Sequence, residues 1–125
     1  MFKVFKMRQT GTGAEALNAR LSLMQRLSAL VLAPLVLVHL GLIVYAVGEG
    51  LSAGEILGRT RGSVFWGAFY GLFVVAAAVH APIGLCNVVR EMTPWRGRSL
   101  CVASFVFGFG LLALGLRAVW AVVAP

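Results

Sequence analysis

Ala76-Ala77-Ala78-Val79-His80-Ala81-Pro82-Ile83-Gly84-Leu85-Cys86-Asn87-Val88-Val89-Arg90-Glu91 is the stretch whose reading decides the fold. It sets one histidine inside an uncharged run covering 62–89 and closes that run with a charged pair. An imidazole at membrane depth is costly without a partner and marks a functional site by default. Ala76, His80 and Gly84 are spaced i, i+4, i+8 and share one helix face. His80 therefore projects between two small residues, which leaves room for a closely packed helix or for a flat ligand such as a porphyrin. Pro82 has no N–H to give to the carbonyl of Ala78, so a bend and a free carbonyl are expected there.

The rest of the chain has the same character. Of its 125 residues, 60% are hydrophobic and only 12% charged, with a mean hydropathy of +0.92, far from a soluble domain. An all-α integral membrane protein is the expectation. Between Arg26 and Glu49 lie 22 uncharged residues, enough at 1.5 Å each to cross a hydrocarbon core of about 30 Å. Around Thr93-Pro94-Trp95-Arg96-Gly97 the helix breaks, with Trp95 suited to the headgroup layer. A third run from Ser99 meets only Arg117, which can snorkel from the last turns. The expected spans are about 27–48, 63–89 and 99–121, forming part of a larger helical bundle. Gly48 to Arg61 suits a short loop with a helical turn after Ser52.

Two regions are expected: a basic arm over 1–21 and a membrane domain over 22–125. The arm lacks the apolar run and cleavage site of a secretory signal. The formal charge of +7 is read as orienting the chain in the bilayer and not as nucleic-acid binding. Up to Arg26 there are five basic residues and the 90–98 loop has three, whereas in the 48–62 loop two are offset by Glu49 and Glu55. The positive-inside rule then puts the N-terminus in the cytoplasm. Cys86 and Cys101 lack metal or disulfide spacing and read as apolar fillers. Gly67 with Gly71, and Gly108, Gly110 and Gly115, permit close helix approach.

Four further residues carry possible chemistry. Ser22 and Arg26, spaced i, i+4, can face one small polar ligand or serve as an interfacial anchor. Glu91 can accept a proton or pair with an arginine. His39 lies about 20 Å along its helix from Arg26, and His80 about 15 Å from Arg90. Counted so, the two imidazoles sit at similar depth and could ligate one electron-transfer haem, unless His39 bonds a neighbouring carbonyl instead.

Ser22-x3-Arg26 followed by His80-x3-Gly84-x6-Glu91 resembles the membrane-anchor subunits of succinate dehydrogenase and fumarate reductase, over roughly Ser22 to Arg98. The resemblance implies three spans and His80 as a ligand of haem b iron. It implies Ser22, Arg26 and Glu91 at a ubiquinone or menaquinone site and no catalytic residue; His39 stays a second cofactor-binding candidate on its depth alone. The implied partners are a flavoprotein and an iron–sulfur subunit on the cytoplasmic face, membrane lipid, and a second anchor subunit or a second copy of this chain. The implied location is a bacterial-type inner membrane. Three positions depart from the pattern. Gln25 stands where the larger anchor subunit commonly has histidine, Cys86-Asn87 where it has an Arg-His pair, and Glu91-Met92 where the smaller subunit often has Asp-Tyr. The alternatives are an anchor for another flavoprotein dehydrogenase, or a haem-free helical assembly or transport protein.

Overall fold

The computed structural model describes residues 12–125, which form four helices: α1 (Thr12–Gly48), α2 (Ala53–Thr60), α3 (Val64–Met92) and α4 (Arg98–Val123). The described chain is all-helical, and α1, α3 and α4 are each long and apolar enough to cross a membrane. It is a multi-pass membrane protein. Helix α1 has 37 residues, about 55 Å at the α-helical rise, so it runs well beyond a hydrocarbon core of about 30 Å. Of the expected basic arm, the part from Thr12 onward is helix continuous with the first span, and Lys3, Lys6 and Arg8 lie outside the described residues.

Helix α3 is central, packed by α1 on one side and α4 on the other. Along α1 the less exposed residues include Gln25, Ser28, Leu32, Leu35, His39, Leu42 and Ala46, at alternating spacings of three and four, with Ala29 and Val31 flanking them. That is the seam of a helix packed at a shallow angle against its neighbour. Gln25 abuts Gly84, Ser28 meets His80, and His39 meets Tyr70 and Phe73, so α1 and α3 run antiparallel in a definite register.

Glycines set the α3–α4 approach. A Cβ at Gly115 would lie 2.5 Å from a Val74 methyl, and one at Gly108 would lie 3.0 Å from the Pro82 ring and 3.3 Å from the Ala78 carbonyl oxygen. The carbonyl that Pro82 cannot serve is thus covered by Gly108, and helix α3 continues through the proline from Val64 to Met92. Gly71 and Gly110, expected among the close contacts, meet nothing within 4 Å.

The loop after the first span holds a two-turn helix. Ser52 caps α2 with a capping box: the Glu55 N–H donates to Ser52 Oγ at 3.3 Å, and the Ser52 N–H donates to Glu55 Oε2 at 2.7 Å. The Ser52 backbone bond, then its hydroxyl, and more weakly the nearby Arg59, hold the Glu55 carboxyl below its ordinary range. Arg59 also lies 5.9 Å over the Tyr45 ring of α1. At the other end, Thr60 Oγ1 donates to the Val122 carbonyl at 2.6 Å and the Gly62 N–H to that of Val123 at 2.8 Å. These two donors satisfy carbonyls that the end of α4 leaves open.

Candidate functional site

The site is the stretch of the α1–α3 seam around His80. Two residues permit it. Gly84, one turn beyond His80, has no side chain to hold α1 away, and a Cβ there would stand 3.1 Å from Gln25 Nε2. Ala76, one turn before, is buried. The space beside Gly84 is therefore filled by a neighbouring helix's amide.

Ser28 is buried, 7% exposed, and its Oγ stands 3.2 Å from His80 Nδ1 and 3.0 Å from the Gln25 carbonyl oxygen. The hydroxyl owns one hydrogen. If Nδ1 were bare, that hydrogen could serve the ring or the carbonyl but not both. Both contacts are hydrogen bonds only when Nδ1–H donates to Oγ and Oγ–H donates to the carbonyl. That arrangement leaves the lone pair on Nε2, the nitrogen a metal would take. Gln25 Oε1, buried beside this relay, makes no hydrogen bond among the described residues.

His39 sits elsewhere. Its ring packs edge-on against Tyr70 and Phe73, with centroids 5.7 and 5.5 Å away, and its buried Nδ1 has no partner among the described residues. Eleven residues of α1 separate it from Ser28, about 16 Å. The similar depth expected for His39 and His80 does not hold. It rested on placing Arg26 and Arg90 at one level. In fact Gln25 lies against Gly84, six residues short of Arg90 on α3, and Arg26 is one residue further in, so Arg26 is about 10 Å deeper than Arg90.

Ser22 and Arg26 are exposed, on a flank of α1 next to the seam. Glu91 is exposed near the end of α3, eleven residues beyond His80 and about 16 Å from it. No hydrogen bond joins the three among the described residues, but all lie toward the same end of the bundle. No group of three or more His, Cys, Asp or Glu side chains gathers among the described residues. An open depression lined by Gly62, Ser63, Gly67 and Val123 lies at the other end of α3 from this site.

The comparison with family models is specific: the succinate dehydrogenase/fumarate reductase transmembrane subunit model matches residues 6–113. The chain belongs to that family. No curated protein and no solved structure matches it. The match runs from the N-terminal segment through all of α1, α2 and α3 into α4, so the seam holding His80 lies wholly inside the region shared with succinate dehydrogenase and fumarate reductase anchors.

Ser28 is the residue of this anchor subunit that sequence reasoning missed. A serine within a span is ordinarily satisfied by its own helix, and this one does reach the Gln25 carbonyl three residues back. The available signal was the three-and-four spacing of Gln25, Ser28 and Leu32, which sets Ser28 on the same seam as His39.

Proposed function

We propose that this anchor subunit binds haem b through His80 and passes electrons between an iron–sulfur subunit and a membrane quinone. The observation that carries the reading is the Ser28–His80 contact at Nδ1, which, with the ring proton on that nitrogen, would leave the Nε2 lone pair for a metal. His80 would be the one residue of this chain that holds the haem iron. When bound, haem b supplies one-electron storage at a potential set by its axial ligands and their surroundings.

His39 does not share an iron with His80 of its own chain, because the register holds them too far apart. A second copy inserted in the same orientation would keep His39 at the same wrong depth. A second ligand to the haem would come from His80 of a second copy or from a histidine of another anchor subunit.

Arg26 orients a quinone carbonyl and polarises it, Ser22 gives a second hydrogen bond, and Glu91 exchanges protons at the membrane boundary. What supports this role for Arg26 is its position: an exposed cation about 10 Å inside the level of Arg90 needs an anionic or polar partner from outside this chain. The quinone site is completed by the subunit docked on that flank. The flavoprotein and iron–sulfur partners sit on the face bearing Arg90, Arg96 and Arg98, which the basic bias places in the cytoplasm of a cell with a bacterial-type inner membrane.

The test is purification through a tag on this chain. Flavin, non-haem iron and succinate- or fumarate-linked quinone chemistry should co-purify, and Arg26→Ala should raise KM for quinone about tenfold, the loss of about 1.4 kcal/mol of binding. A chain that purifies without flavin or iron, from membranes where the complex is active, would overturn the assignment.

A further inference from the structure

Resting on the haem reading of His80, the geometry points to Ser28 as its positioning residue: the hydroxyl fixes the ring so that Nε2 is the ligating nitrogen, and it tunes the iron through a neutral acceptor. Three observations meet here. The single hydroxyl hydrogen satisfies both the 3.2 Å and 3.0 Å contacts only with the proton on Nδ1. Ser28 is buried, so water does not compete for the bond. The acceptor is tied at its far side to the backbone of its own helix, so the ring is oriented by α1 itself and not by a mobile side chain.

The chemical consequence follows from what Ser28 is not. A carboxylate accepting from Nδ1–H draws the proton toward itself and makes the ring a stronger donor to the metal. A hydroxyl whose own hydrogen is spent on a carbonyl accepts more weakly, so the ring stays a neutral imidazole with modestly raised basicity. Taking the hydroxyl away removes that remaining assistance. The ferric state, which gains most from a basic ligand, loses more than the ferrous state, and the reduction potential rises. The Ser28→Thr variant keeps an oxygen in place, and Ser28→Ala does not.

The experiment is a redox titration of the b-type haem in the purified full complex, for wild type, Ser28→Ala, Ser28→Thr and His80→Ala. We expect an upward shift of midpoint potential in Ser28→Ala, a value near wild type in Ser28→Thr, and no haem signal from this site in His80→Ala. An unshifted potential in Ser28→Ala, with the signal lost in His80→Ala, would overturn the role of Ser28 and leave the haem reading standing. A signal retained in His80→Ala would overturn the haem reading and this inference with it. A check without variants uses 15N-histidine labelling of the reduced, diamagnetic wild-type complex. His80 should carry its proton on Nδ1, and a proton on Nε2 would overturn the proposal even if Ser28→Ala fails to assemble.

Discussion

At the residue scale, the two histidines of this chain do different things because they face different neighbours. His80 has a hydroxyl to bond, whereas His39 has the edges of Tyr70 and Phe73 and, among the described residues, an unpartnered Nδ1. Replacing His39 by Phe keeps the aromatic packing and removes that buried nitrogen, so thermal stability of the complex should be held or slightly raised and its haem spectrum unchanged. A lost haem signal in that variant would show His39 to be a ligand. His80 was legible in the sequence because an imidazole stands out in an uncharged run. Its partner was not, because Ser28 lies 52 residues away and only the register of α1 on α3 brings the two together. Gln25 departs from the family pattern in the sequence alone, yet its fit against Gly84 depends on that same register.

At the element scale, three spanning helices follow from length and hydropathy, and α1, α3 and α4 are each long and apolar enough to cross a membrane. What composition cannot supply is which glycines face a neighbour. Gly115→Ala drives a Cβ into Val74, whose branched side chain has little freedom to yield, and should destabilise by about 1 to 3 kcal/mol. Gly110→Ala meets nothing, and the better helix former should be neutral or stabilising by up to about 1 kcal/mol. Thermal denaturation of both variants in detergent separates the two cases. Thr60→Val removes the hydroxyl bonded to Val122 and should cost about 1 kcal/mol, read as increased amide exchange in α2. The capping box also gives α2 a pH dependence. Because Ser52 lowers the folded-state pKa of Glu55, the carboxylate's contribution is full above its ordinary value of 4.5 and is lost as pH falls through the lowered one. Protection factors in the first turn of α2, corrected for intrinsic exchange, should therefore fall on acidification below that range, and Glu55→Gln should abolish the change.

At the scale of the whole molecule, the chain is open. Ala76 and Leu100 are the buried hydrophobic residues among those described, while Leu37, Val44, Phe105, Phe109 and Leu114 lie exposed on the spanning helices. Lipid can cover such side chains. On the proposed reading, Arg26 meets a quinone and the haem takes a further ligand, and both point to other subunits. The whole assembly was the least legible level in the sequence. A three-helix layer of this kind completes its polar site with residues it does not itself contain.

The most direct test of the central claim is a dithionite-reduced minus oxidised visible spectrum of the detergent-purified complex, for wild type and His80→Ala. A low-spin b-type signal present in wild type and absent in the variant is the predicted result. An intact, flavin-containing wild-type complex with no b-type signal, or a signal that survives in His80→Ala, would contradict it.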